Sequence, residues 1–195
     1  MKRFDYYYIR FLLFKYKFML KNKIYIAYEN TDLLHYYLEA LSNVKNLSDN
    51  QKGALQKYGE FGKEINQKLR TKAKLNFSDN KWVDDLDSAL EHLHAVNFIV
   101  FRKLDLNIFE NNNKYFEMGY LSTSTNLMAA TMNKKYLLVI LVPASENIKC
   151  LYIQKETKCG EDELLIQRNT YLNKLREFQY KNMIYQICRI SEEED

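Results

Sequence analysis

The hydrophobic period changes near residue 96, and that change limits the fold more than any other feature of the chain. Before it, apolar residues recur at helical spacing. After it, they come in short β-branched and aromatic runs bounded by polar residues. "TDLLHYYLEALSNV" (31–44) opens with Thr31 or Asp32 as a possible N-cap. "DNQKGALQKYGEFGKEINQKLRTK" (49–72) carries Leu55, Tyr58, Phe61, Ile65 and Leu69 on one stripe, and its glycines at 53, 59 and 62 predict breaks or short helices. "WVDDLDSALEHLH" (82–94) puts Trp82, Leu86, Leu90 and Leu93 on one helical face, which reads as core.

The second half reads as strands. "VNFIVFRKL", "YFEMGYLSTS", "KYLLVILVP", "IKCLYIQ" and "DELLIQ" are extended, with a short helix "TNLMAATMN" among them, capped by Ser124 or Thr125. "TYLNKLREF" and "MIYQICRI" form a closing pair through a turn at 179–182. Helices first and strands after predict an α+β fold. A chain of 195 residues with 47% hydrophobic residues has material for one domain and a real core. The boundaries are a basic, aromatic extension over 1–28, one domain over 29–190, and an acidic tail over 191–195.

Several classes are disfavoured. A net charge of +4 is too mild and dispersed to favour nucleic acid. Cys150, Cys159 and Cys188 are odd in number and lack CxxC spacing. With His35, His92 and His94 far from them, they predict neither a disulfide framework nor a metal site. Cys150 and Cys188 read as small apolar packing groups in a chain suited to a reducing compartment. The segment "MKRFDYYYIRFLLFKYKFMLKNK" is broken by Asp5, Arg10, Lys15 and Lys17, so it predicts no transmembrane span and no secretory signal. It reads as an amphipathic helix packed on the domain, or as a basic helix lying on an anionic membrane surface or a delivery partner.

Three landmarks carry chemistry. Arg102 ends "FIVF", Ser122-Thr123-Ser124 follow "GYL", and Glu161 and Glu163 precede "LLI". In a strand, residues i and i+2 share a face, so the two glutamates point together and each raises the other's pKa. Alone, such a pair reads equally as a solvated strand edge.

In order, however, "FIVFRKLD", "MGYLSTST", "LLVILVPASENIKCLYI" and "GEDELLIQRN" resemble the bacterial mono-ADP-ribosyltransferase toxins of the actin- or Rho-modifying type. "EINQKLR" is similar to the helix that carries an Asn and an Arg over the NAD pocket, and "LDSALEHLHAVNFIVFR" has the family's helix-into-strand layout. The resemblance spans roughly residues 30 to 190.

The resemblance implies helices packed on a mixed, mainly antiparallel two-sheet β core. It implies NAD as substrate without a metal. Glu163 would hydrogen-bond the ribose and stabilise its developing positive charge, as carboxylates do in glycoside hydrolysis. Glu161 would orient and deprotonate the acceptor. Glu at that position marks the arginine-modifying members, Gln the asparagine-modifying ones. Ser122 would hold the Glu163 rotamer, Arg102 would pair with the diphosphate, and Asn66 and Arg70 would sit over the pocket, Arg70 also on phosphate. The implied partner is a target protein with a modified arginine, actin or a small GTPase being candidates. The protein would be cytoplasmic in its producer and secreted or delivered into a target cell. Alternatives within the fold are an NAD glycohydrolase, a nucleobase ADP-ribosyltransferase, or an inactive NAD-binding module.

The sequence departs from the family pattern at three places. Lys103 stands where Gly often follows the strand Arg, and Ile166-Gln167 stand where Pro is usual. "QKETKCG" lacks the aromatic residue that some members use on their target.

Overall fold

The computed structural model describes residues 25–26, 46–90, 97–125, 135–143, 148–153, 163–180 and 182–193. The expected helices over 1–22, 31–44 and 125–133 fall outside these residues, apart from Thr125, as do Glu161 and Cys159.

Helix α1 runs Asp49–Arg70 and α2 runs Phe77–Ala89. Ser48 and Gln51 close a capping box on α1: the Gln51 backbone N–H donates to Ser48 Oγ at 3.3 Å, and the Ser48 N–H donates to Gln51 Oε1 at 2.8 Å. Asn76 caps α2 by accepting from the Asp79 N–H at 2.8 Å. The helices lock to each other through Trp82 Nε1, which donates to the Ala54 carbonyl at 2.9 Å, and through the Lys68–Asp79 ion pair at 2.6 Å.

The expected break is present: α1 is two helical stretches joined across a kink at Phe61, between Gly59 and Gly62. One residue, Phe61, leaves helical geometry (φ −125°, ψ 15°) and the helix continues beyond it. That bend turns Phe61 outward, 48% exposed, so it is not the core residue its spacing predicts.

The strands are β1 (Tyr25–Ile26), β2 (Asn97–Leu104), β3 (Lys114–Glu117), β4 (Leu121–Ser124), β5 (Tyr136–Val142), β6 (Cys150–Tyr152), β7 (Glu163–Ile166), β8 (Thr170–Tyr180) and β9 (Met183–Ser191). Their order is β3-β8-β9-β5-β2-β4-β7-β6, with β1 paired parallel to the start of β2. Most pairs are antiparallel and β5/β9 is parallel. The fold is therefore α+β with a mixed, mainly antiparallel core. "YFEMGYLSTS" is not one strand. It turns over Met118–Tyr120, so β3 pairs with β8 while β4 pairs with β7.

The two leaves of the sheet meet at β2. β5 follows β2 along its length, but β4 touches it through the single pair Phe101↔Ser124. The sheet forks there, since among the described residues β2 and β4 pair at no other position. Strand β5 is buried at every position from Leu137 to Val142, as a central strand covered on both faces must be.

Apolar side chains divide accordingly. Val100, Leu121, Leu138, Leu164 and Ile166 fill one core, whereas Leu55, Ile65, Leu86, Leu151 and Leu165 join the helices to the other face of β4, β6 and β7. Cys150 and Cys188 are free and buried, and burial raises both thiols, Cys150 to about 12. Among the described residues no helix is long and apolar enough to cross a membrane.

Candidate active site at the sheet fork

The register of β4 against β7 builds the floor. Ser124 opposes Glu163 and Ser122 opposes Leu165. Opposed residues share a face, so Ser122, Ser124 and Glu163 all project toward the helices, beside the buried Leu165. Ser122 and Glu163 are diagonal neighbours, within about 8 Å at the backbone. The other face is anchored by Leu121, Leu164 and Ile166, and the Thr123 hydroxyl donates to the Leu164 carbonyl at 2.6 Å. The leucines after Glu163 thus hold the carboxylate at the mouth of a rigid strand pair.

Helix α1 forms the wall. Asn66 is buried, and its amide braces the turn before β4: Nδ2 donates to the Tyr120 carbonyl at 3.1 Å and Oδ1 accepts from the Tyr120 N–H at 2.7 Å. Nδ2 also donates to the Tyr58 hydroxyl at 2.8 Å. Asn66 therefore fixes both Tyr58 and the strand that carries Ser122. The Tyr58 and Tyr120 rings meet edge to face at 5.8 Å.

Burial raises the Tyr58 phenol, with the Glu163 carboxylate acting in the same direction and Arg102 and Arg70 opposing it. One side chain thus senses three of the residues singled out in the sequence, and the structure brings them together. Arg102 reaches across the fork from β2, its Nη1 donating loosely to the Ser122 carbonyl at 3.5 Å.

Arg70, at the end of α1, is held by Glu117 of β3. Nε donates to Oε1 at 2.7 Å and Nη2 to Oε2 at 2.9 Å. Burial alone would lower the Arg70 guanidinium, but the bonds and charge of Glu117 outweigh it and leave it raised. Arg102 is lowered by burial, with Arg70 adding to the effect and Glu117 opposing it. Both stay protonated at any ordinary pH. The site presents two guanidinium groups suited to phosphate oxygens beside a carboxylate suited to a developing cation.

Tyr58, Tyr115 and Glu117 belong to this neighbourhood, and sequence reasoning does not assign them to it. By spacing, Tyr58 reads as part of an apolar stripe. The sequence signal for Glu117 is a carboxylate in a strand whose neighbours, Phe116, Met118 and Tyr120, are apolar or aromatic.

A second bidentate pair braces the floor from behind. Arg168, just past β7, donates to Asp87 of α2 at 2.7 Å, and the Tyr120 hydroxyl donates to the same carboxylate at 2.7 Å.

Comparison with known proteins agrees with this fold. A family model described as ADP-ribosyltransferase exoenzyme matches residues 35–183. The C3 exoenzyme of Clostridium limosum superposes with a TM-score of 0.74 at 19% identity, covering 87% of this chain and 98% of that one. An ADP-ribosyltransferase of the C3 type from Clostridium botulinum gives 0.75 at 18% identity, covering 87% and 100%. A C3-type protein from S. aureus, solved with NAD, gives 0.74 at 21% identity, covering 87% and 99%. These likenesses establish a shared fold. No curated protein gave a match.

Proposed function

The chain belongs to the ADP-ribosyltransferase exoenzyme family, the bacterial mono-ADP-ribosyltransferase toxins, and from that membership we propose that it transfers ADP-ribose from NAD to a protein arginine, releasing nicotinamide. The observation that carries this reading is Ser122 and Glu163 sharing one face of the β4/β7 pair, with Arg102 and Arg70 in the same electrostatic neighbourhood.

In this reading Arg102 and Arg70 bind the diphosphate of the substrate NAD, and their guanidinium groups orient the dinucleotide. The bond between nicotinamide and ribose breaks, and its electron pair leaves with nicotinamide. Glu163 stabilises the positive charge that develops on the ribose, and Ser122 keeps that carboxylate aimed. An arginine nitrogen of the target then bonds to the ribose carbon and gives up its proton. Glu161 takes that proton, because a guanidinium is a poor nucleophile until it loses one.

The target is a protein with an accessible arginine, with actin and small GTPases as candidate classes. The C3 relative of Clostridium limosum is called an exoenzyme, which supports action outside the producing cell as a toxin or effector. The basic segment 1–22 is a candidate contact for a membrane surface or a delivery partner.

Labelled NAD and a cell lysate test the proposal. Native protein is expected to label a protein band through an arginine linkage. Glu163→Gln is expected to lower labelling by about 100-fold or more. Glu161→Gln is expected to lose transfer while retaining release of nicotinamide. Nicotinamide release without any labelled protein would identify an NAD glycohydrolase instead. Neither label nor nicotinamide from the native protein would remove both enzyme readings.

A further inference from the structure

Glu117 is a carboxylate in the interior, only 4% exposed, and the chemistry above gives it no task. Three donors meet it. Arg70 Nε and the Gly119 backbone N–H both reach Oε1, at 2.7 and 2.9 Å, and Arg70 Nη2 reaches Oε2 at 2.9 Å. The bond to Gly119 closes the turn between β3 and β4, which is a structural role. A neutral amide oxygen could accept that bond equally well. The second oxygen accepts from Arg70, and the full negative charge acts on the guanidinium groups of Arg70 and Arg102.

The geometry of that pair is specific. Glu117 grips Arg70 along the edge made by Nε and Nη2, leaving Nη1 outside the pair. The Arg70 side chain is 30% exposed, while its carboxylate partner is 5% exposed. Arg102 lies close enough for the two cations to act on each other, with Glu117 opposing their repulsion. Without the carboxylate to offset their repulsion, the two like charges would separate. The long, partly exposed Arg70 side chain would then move into solvent. A buried ion pair is also costly to form, and replacing it by apolar residues often costs no stability. Stability alone therefore gives no reason for this pair here.

We propose that Glu117 is a positioning residue of the dinucleotide site: it holds Arg70 by one edge and offsets the repulsion from Arg102, so that the free Nη1 edge of Arg70 meets the substrate diphosphate. This inference rests on the NAD-dependent reading. It adds that the buried acid fixes affinity for the dinucleotide and takes no part in breaking the bond to nicotinamide.

Kinetics and binding of Glu117→Gln, Glu117→Asp, Arg70→Lys and the Glu117→Gln/Arg70→Lys double variant test it. Gln keeps an acceptor for Gly119 and the size of Glu, and Asp keeps the charge at a shorter reach. Glu117→Gln is expected to raise KM for NAD about tenfold in nicotinamide release, leaving kcat within about twofold. Glu117→Asp recovers part of that loss. The double variant is little worse than Arg70→Lys, because both changes remove one arrangement. A merely structural role would lower Tm and leave KM unmoved, and that result in any folded variant overturns the proposal. So would effects of the two single changes that multiply in the double variant. If Glu117→Gln does not fold, the KM of Glu117→Asp decides on the same terms.

Calorimetry with ADP-ribose separates this proposal from the activity it rests on. A native protein that binds ADP-ribose but releases no nicotinamide, with binding weakened in Glu117→Gln, would sink the transferase reading and keep the positioning role. Active native protein with an unchanged KM in Glu117→Gln would sink only the positioning role. Native protein that binds neither compound overturns both.

Discussion

At Gly119 the turn into β4 has no room for a side chain. A β-carbon there would stand 2.7 Å from Asn66 Oδ1 and 3.3 Å from Glu117 Oε1. Asn66 cannot yield freely, because the same oxygen accepts the Tyr120 N–H. Gly119→Ala is therefore expected to break the Asn66–Tyr120 brace and shift Ser122 relative to Glu163. The expected cost is about 1–3 kcal/mol of unfolding free energy, read by urea denaturation, together with loss of nicotinamide release. Native stability would show that the turn relaxes without disturbing the brace. At this scale the sequence is legible where function is local. Arg102, Ser122 and Glu163, the residues proposed for the site, stand in short motifs whose residue types the proposed chemistry would demand. Glu117 and Tyr58 are not legible, because their meaning comes from contacts with distant parts of the chain: Glu117 lies 47 residues from Arg70, and the Tyr58 ring of α1 meets the Tyr120 ring in the turn before β4.

Helix α1 carries Tyr58 before its kink at Phe61 and Asn66 and Arg70 after it, so the packing around the kink sets how these side chains stand to one another. Its glycines read as breaks because Gly is about 1 kcal/mol worse than Ala in a helix interior. The helix does kink at Phe61, between Gly59 and Gly62, but runs through Gly53 unbroken, and the surroundings of the glycines differ. Nothing lies within 4 Å of a β-carbon at Gly53, whereas at Gly62 it would meet the Tyr58 ring at 3.0 Å. That ring is held edge to face by Tyr120 and through its hydroxyl by Asn66, so it has little freedom to move. The two positions make a matched pair. Gly53→Ala is expected to gain up to about 1 kcal/mol, a rise of roughly 2–4 °C in Tm. Gly62→Ala is expected to lose about 1–3 kcal/mol despite the same gain in propensity, because Tyr58 must leave its place. A Gly62→Ala protein as stable as the native one would mean that Tyr58 is not fixed. Helix and strand types are legible from period alone, as α2, β5 and the β8–β9 hairpin bear out. The division of "YFEMGYLSTS" is not, since the turn depends on side chains from α1 and β3.

At the scale of the whole molecule, the proposed site lies where the helical layer meets the sheet on either side of its fork at β2. An α+β core is readable in the order of periods, but the fork at β2 is not. It exists because β4 pairs with β2 at one residue and with β7 along its length, and no local pattern encodes that choice. A consequence is that Arg102, Glu163 and Arg70 come from three parts of the fold, the β5 side of the fork, the β4/β7 leaf and helix α1. A dinucleotide that bridges them should tie those parts together and stabilise the folded state as a unit. By mass action, NAD at a hundredfold excess over its Kd adds about 2.7 kcal/mol, or roughly 5–10 °C in Tm for a chain of this size. The shift is expected to survive Glu163→Gln, whose carboxylate acts on charge that develops during the reaction. It is expected to shrink in Glu117→Gln and Arg70→Lys, which weaken the hold on the diphosphate. ADP-ribose, which keeps the diphosphate and lacks nicotinamide, should give most of the same shift. Scanning fluorimetry over a NAD series up to millimolar concentration measures all of these. A flat response of the native protein would mean that the three parts do not share a ligand. A shift lost in Glu163→Gln but intact in Arg70→Lys would move the main binding contact from the diphosphate to the nicotinamide ribose.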